Sequence, residues 1–168
     1  MDMRIGANSN QATSSAIPTD DTWHHWVFIH YSDGEWEWYM DGEYVDGGTG
    51  WGGDATSNGN VNVFIGGDGD WGKSAVFKLC HLRIYNRYLE YEEIEDMYHE
   101  FDDSSDSSDS SDPDLVFHAP LSTDYNDHSA SARQATVVLY NNDQSYAPSL
   151  VQKDGFVCAY VPHYCPLS

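Results

Sequence analysis

Basic residues are scarce. Lys and Arg together number 7 among 168 residues, against 28 Asp and Glu, and the formal net charge is −21. A surface so poor in cations has no footprint with which to displace phosphate counterions, which excludes nucleic acid as a partner. The same sign of charge disfavours anionic membrane surfaces. Long apolar runs are missing as well, so no transmembrane helix fits and membrane insertion is not expected. The first residues lack the basic-then-apolar pattern of a secretory leader, and the expectation is a chain whose export signal was removed or a fragment of a longer one. Cysteine is limited to Cys80, Cys158 and Cys165, and none of these spacings resembles a zinc site. Three thiols leave at least one outside any intrachain disulfide. A secreted protein with one disulfide and one further thiol fits, as does a reduced protein with three buried thiols; the other extracellular hints favour the first. No Asn-x-Ser/Thr acceptor occurs, so N-glycosylation is not expected.

What the chain does have is aromatic bulk and turns: 12 Tyr, 6 Trp, 6 Phe and 14 Gly, within a hydrophobic content of 40% that suffices for a core. That mixture predicts an all-β protein with wet, aromatic surfaces rather than a helical bundle. The run from Asp102 to Asp114 is a Ser-Ser-Asp repeat with no apolar residue, ending Asp112-Pro113-Asp114. It cannot bury enough surface to offset its ordering entropy and reads as an extended acidic linker, with calcium capture, O-glycosylation or phosphorylation of its serines as sharper alternatives.

Before the linker the periodicity is that of strands. Trp26–Tyr31 is apolar and aromatic, and Ser32-Asp33-Gly34 turns the chain into Glu35–Met40. There Trp36, Trp38 and Met40 share one face, while Glu35, Glu37 and Tyr39 share the other. Asp41-Gly42 predicts a two-residue hairpin turn leading to Glu43-Tyr44-Val45. A Gly-rich loop, Gly47 to Gly59, precedes a strand at Val61–Gly66. The acidic loop Gly67–Gly72 then precedes a long strand-like run at Ala75–Tyr85. One helix is expected, near residues 90–99, with Ile94, Met97 and Phe101 on one face. After the linker, Leu115–Ala119, Thr136–Tyr140 and Gly155–Val161 read as strands.

Four of these segments carry a family resemblance. Asp21-Thr22-Trp23-His24-His25-Trp26-Val27 resembles the "tWHHv" strand of the concanavalin A-like, laminin G-like jelly-roll domains. Trp38-Tyr39-Met40-Asp41-Gly42-Glu43 resembles their "lYvDG" hairpin, and Phe64-Ile65-Gly66-Gly67 their "iGg" strand end. Leu82-Arg83-Ile84-Tyr85-Asn86-Arg87-Tyr88-Leu89, with Glu92-Glu93-Ile94 behind it, is similar to the closing "vriYnraLs..Ei" segment. Beyond the linker, Leu115–Leu121 resembles the family's opening "lvfhlpL" strand, and Asp124–Ser129 its "D.SG" turn, with Ala130 where Gly is usual. The resemblance therefore implies an antiparallel two-sheet β-sandwich in unusual order. Residues 1–101 are the C-terminal part of one laminin G-like sandwich, 102–114 the linker, and 115–168 the N-terminal part of the same, a permuted or a neighbouring domain. The family's middle "fTisfWvk" strands match neither piece. A half-sandwich alone exposes aromatic faces and strand edges, so completion is expected either within the chain or by strand exchange with another copy. The expected function is a non-catalytic extracellular or cell-surface structural and adhesive module, partnered by copies of itself in a head-to-tail array or filament. A monomeric carbohydrate-binding, lectin-like module is the alternative and a glucanase the remote one.

Candidate chemistry is sparse. Glucan hydrolysis needs two carboxylates on one strand face, and Glu35 with Glu37 is such a pair. The Glu-x-Asp-x-x-Glu signature of the family's glucanase branch is absent, and solvated strand-face carboxylates are the expectation. His24 and His25 are neighbours on a strand, face opposite ways and do not readily chelate one ion. Calcium is the better ion: Asp124, Asn126 and Asp127 cluster in a turn resembling a family position associated with one, and Asp68 with Asp70 form a second cluster. Ordinary Asx-turn chemistry is the competing explanation. Trp51 and Trp71 lie in Gly-rich loops and are the candidates for stacking on sugar rings, with Asp54, Asp68 and Asp70 accepting hydroxyls. For the cysteines, Cys158 and Cys165 are positioned to close a small loop. The family's neighbouring opening and closing strands equally allow Cys80 to pair with either.

Overall fold

A computed structural model of the chain describes residues 2–4, 11–13, 18, 22–50, 77–102, 112–121, 126–130, 149–153 and 156–161. Within them lie ten strands and one helix: β1 (Asp2–Arg4), β2 (Gln11–Thr13), β3 (Trp26–His30), β4 (Trp36–Met40), β5 (Glu43–Gly48), β6 (Phe77–Leu79), β7 (Leu82–Tyr85), α1 (Tyr91–Asp102), β8 (Leu115–Ala119), β9 (Ser149–Lys153) and β10 (Phe156–Val161). Every strand pair among them is antiparallel. This is the all-β architecture with one short helix that the aromatic composition and period-2 patterning predict. The chain divides into two units, Met1–Val61 with Arg87–Ser108, and Asn62–Asn86 with Asp109–Ser168.

The first unit is built on the sheet β3-β4-β5, with β1 and β2 paired separately. Its register follows from the alternation: Trp26 stands opposite Met40, Phe28 opposite Trp38 and His30 opposite Trp36. Trp38 is buried, with Trp26 edge-on at 6.0 Å between ring centroids and Phe28 tilted at 4.7 Å. Asp41 and Gly42 turn the chain with φ of 53° and 82°. Two consecutive positive φ angles are what a type I′ hairpin turn requires, and Asp and Gly tolerate them. Trp38 faces Asp46 whereas Tyr39 faces Tyr44, so Val45 is a bulge residue in β5. Beyond it, Gly48 lies under the Trp36 ring, where a Cβ would come within 2.9 Å of the indole.

The opposite sheet face, expected to carry solvated Glu35 and Glu37, is only partly open: Glu35 is exposed and Glu37 half-buried. Ile29 and Tyr39 are buried there, and α1 supplies cover: Tyr91 meets Tyr39 at 6.4 Å, and Tyr98 stacks on His25 at 6.4 Å. Ile94 is fully buried and Met97 half-buried, as the apolar stripe predicts, while the Phe101 side chain is outside the described ones. Burying a side chain the size of Ile94 or Leu89 contributes roughly 1.5–3 kcal/mol. The helix runs on to Asp102 rather than stopping near 99. Its start is capped in reverse. The Glu93 carboxylate accepts the Glu90 backbone N–H at 2.8 Å, half of a capping box, and grips both Arg87 guanidinium nitrogens at 2.7 and 2.8 Å.

In the second unit the residues on either side of the acidic linker pair with each other. β7 runs antiparallel to β8, with Leu82 opposite Ala119 and Ile84 opposite Phe117. The ladder is extended by His81 N–H to the Pro120 carbonyl and Asn86 N–H to the Asp114 carbonyl, at 3.1 and 2.8 Å. β10 lies between β6 and β9. The run expected as a single strand from Ala75 to Tyr85 breaks between Leu79 and Leu82, where His81 adopts a φ of 53°. Ala119 and Leu121 form a small core with Leu79, Leu82 and Phe117 against them. The strands expected at Val61–Gly66 and Thr136–Tyr140 lie outside the described residues.

Candidate functional site

Three polar constellations stand out, and each begins with one carboxylate. The first is Asp41, the hairpin residue. Its Oδ1 accepts the His25 backbone N–H at 2.9 Å, and its Oδ2 lies 2.7 Å from His24 Nδ1. A carboxylate can only accept, so Nδ1 carries the proton; in the neutral ring Nε2 then accepts from the Thr22 hydroxyl, 2.9 Å away. The order hydroxyl, imidazole, carboxylate is that of an acyl-transfer triad. Here, however, the carboxylate's second oxygen and the Asp41 N–H, which donates to the His25 carbonyl, tie the entry of β3 to the β4–β5 turn. His24 and His25, expected on a strand, lie just ahead of β3, which begins at Trp26.

The second is Glu37. A single carboxylate oxygen accepts both the Tyr31 and the Tyr39 hydroxyls, each at 2.9 Å. Burial and this hydrogen bond push the Tyr31 phenol up to about 12, and the same two causes raise Tyr39. Around it the rings are in contact: Tyr31 with Tyr88 at 5.6 Å, and Tyr39 with Tyr44 at 5.8 Å. The pair Glu35–Glu37 does not hold two equivalent carboxylates. Glu35 is exposed, while Glu37 is half-buried and bound to two phenols.

The third is Asp127, buried in the turn after β8. Its Oδ1 accepts the N–H of His118 and of Ser129, each at 2.8 Å. His128 N–H returns to the His118 carbonyl. One carboxylate oxygen thus pins the turn to the fully buried segment of β8 around His118. Of the calcium candidates, Asn126 is exposed and Asp124 lies outside the described residues. Among the described residues no three His, Cys, Asp or Glu side chains gather into a metal-holding group. Oδ1 of Asp127 is engaged by the His118 and Ser129 backbone N–H groups, as in an Asx-type turn.

The sugar-contact candidates Trp51, Trp71, Asp54, Asp68 and Asp70 all lie outside the described residues. Cys80 sits half-buried between β6 and β7; Cys158 lies on β10 with its side chain outside the described ones, and Cys165 lies outside them altogether. The tyrosine cluster around Glu37 was missed by sequence reasoning. Its members come from the end of β3, from β4 and β5, and from the approach to α1, and only the pair Tyr88 and Tyr91, three residues apart, gave a local hint. No helix among the described residues is long and apolar enough to cross a membrane.

Antiparallel sheets, the Asp41 hairpin locked to His24 and His25 at the entry of β3, and one short helix that follows β7 in sequence are consistent with a concanavalin A-like β-sandwich. The family model of the concanavalin A-like lectin/glucanases superfamily matches residues 2–95, and the chain belongs to that superfamily. No curated protein and no solved structure gave a significant match.

Proposed function

We propose that the protein is a non-catalytic extracellular structural and adhesive module, which self-associates head to tail by exchanging strands between copies. The observation that supports it is the pairing of β7 with β8 and of β6 with β10, strands that lie on opposite sides of the acidic linker in sequence. Partners joined only through a long spacer are the kind that domain swapping exchanges at low cost, because the same hydrogen bonds form within or between chains. The lack of catalysis is supported by Glu37, whose carboxylate braces two tyrosines instead of standing beside a second carboxylate across a glycosidic bond.

A second reading, the monomeric lectin-like module, is favoured by the same pairing being made inside one chain. Sedimentation velocity over a wide concentration range, with negative-stain microscopy, separates the two. Assembly that grows with concentration and yields regular fibres supports strand exchange, whereas a compact monomer throughout refutes it. Glycan binding lost in Trp71→Ala then supports the lectin reading, and β-glucan hydrolysis lost in Glu37→Gln overturns both. Calcium belongs to this proposal only as a stabiliser of the Asp124–Asp127 turn. An unchanged melting temperature and morphology in EDTA removes it.

A further inference from the structure

The described surface of the first unit pairs exposed rings with negative charge. Tyr44, Tyr88 and Tyr91 are 56%, 54% and 44% exposed. They are not scattered. Tyr88 rests on Tyr31, while Tyr91 and Tyr44 rest on Tyr39. Tyr31 and Tyr39 are in turn fastened to the same Glu37 oxygen. The three outer rings are therefore the accessible edge of one braced cluster, and little side-chain freedom remains for a ligand to remove.

Carboxylates ring this face. The charges of Glu43, Glu95 and Glu92 all act on the Tyr91 phenol and raise it, and those of Glu37 and Glu90 act on Tyr31. The first turn of α1 adds no compensating positive field, since Glu92 and Glu93 occupy it. Among the described side chains of the unit the only Lys or Arg is Arg87, which Glu93 holds bidentately. The face offers aromatic π-surface and acceptors and, among the described side chains, no cation besides the paired Arg87.

We propose that this tyrosine face is a docking surface for an arginine-rich segment of a partner protein. Guanidinium groups stack on tyrosine rings and at the same time donate to flanking carboxylates; the more strongly hydrated ammonium of Lys does the first less well. Tyr paired with Arg is a frequent composition of interface hot spots. A second copy of this chain is the wrong occupant for this face by sign, because it brings 28 acidic residues and 7 basic ones; the strand exchange proposed above is a backbone pairing elsewhere, of β7 with β8 and β6 with β10. The net charge of −21 additionally speeds the approach of a basic partner.

The test uses the full chain and a fluorescent nona-arginine peptide, with nona-lysine and a Gly-Ser peptide of equal length as comparisons, read by fluorescence anisotropy. Nona-arginine is expected to bind more tightly than nona-lysine, and the Gly-Ser peptide not at all. Tyr88→Ala combined with Tyr91→Ala is expected to weaken nona-arginine about tenfold. Tyr88→Phe combined with Tyr91→Phe, which keeps the ring faces, is expected to retain wild-type affinity. Neutralising the linker by Asp103→Asn, Asp106→Asn and Asp109→Asn is expected to change it less than the Ala pair does. Equal binding of the two cationic peptides with unaltered affinity in the Ala pair overturns the proposal, since bulk charge then explains everything. So does a loss that follows the linker substitutions instead. Should the Ala pair fail to fold, carbodiimide cross-linking of a lysine-tagged nona-arginine to the wild-type chain decides. Adducts at Glu43, Glu92 or Glu95 support the surface, and adducts confined to the linker overturn it.

Discussion

A single oxygen of Glu37 accepts two phenols, and that arrangement has a pH signature. The Tyr31 phenol is raised from the ordinary 10 to about 12, by burial first and by its bond to Glu37 second. A group whose folded-state pKa lies above its unfolded value favours folding in its protonated form. Its contribution is complete below pH 10 and is lost as pH rises through about 12. Urea unfolding of the wild type across that window should show stability falling, and Tyr31→Phe should flatten the fall while costing about 1 kcal/mol at neutral pH for the lost hydrogen bond. A fall just as steep in the variant would show that other groups titrate instead. Asp127 is the corresponding residue of the second unit. Asp127→Ala leaves the backbone N–H groups of His118 and Ser129 without their carboxylate, beside a fully buried histidine. The expected loss is about 2 kcal/mol in chemical denaturation, and a loss within a few tenths would mean that water substitutes for the carboxylate.

Arg87 and Glu93 show how an element is held at its end. The bidentate guanidinium holds the Glu93 carboxyl below the usual range, burial opposes it, and the Glu90 N–H adds to the lowering. A lowered carboxylate stabilises the fold above its unfolded pKa, and that stability is lost as pH falls through the folded value. Glu93→Gln should therefore remove part of the wild type's acid sensitivity and fray α1, read as lower helical circular dichroism at neutral pH. Identical acid curves would count against the pair. Elements of this kind were legible to different degrees. β3, β4 and the β4–β5 hairpin could be read because aromatic and polar residues alternate there and Asp41-Gly42 meets the turn's demand for positive φ. The break at His81 was hidden, since a left-handed histidine is selected by its neighbours in space and not by its own preference. β9 was passed over because Ser149 and Lys153 mask its apolar middle. The Asp154-Gly155 pair before β10, the same dipeptide as at 41–42, was the signal that would have found it. The Glu37 cluster had no local signature, because residues 31, 37, 39, 44, 88 and 91 meet only after β3, β4, β5 and α1 have packed.

At the scale of the whole chain the strand order is what matters. Segments that resemble a domain's end and a domain's beginning occur in that order, and the ladder from His81 opposite Pro120 to Asn86 opposite Asp114 joins them. Backbone hydrogen bonds, together with the packing of Leu82 and Phe117 against Ala119 and Leu121, hold this union. Cutting the chain inside the linker, through a protease site inserted between Ser107 and Ser108, should leave the fragments associated. They should co-elute in native size exclusion and separate only in denaturant. Because both fragments are acidic, raising the salt concentration should strengthen the nicked complex by screening their repulsion, whereas a linker that served merely to tether two independent bodies would release them on cleavage. Replacing Phe117 with Asp, which places a charge opposite Ile84 in the β7–β8 pair, should make the nicked fragments separate under native conditions. Fragments that part without this substitution, or stay together with it, would show that the β7–β8 pair is not what completes the fold.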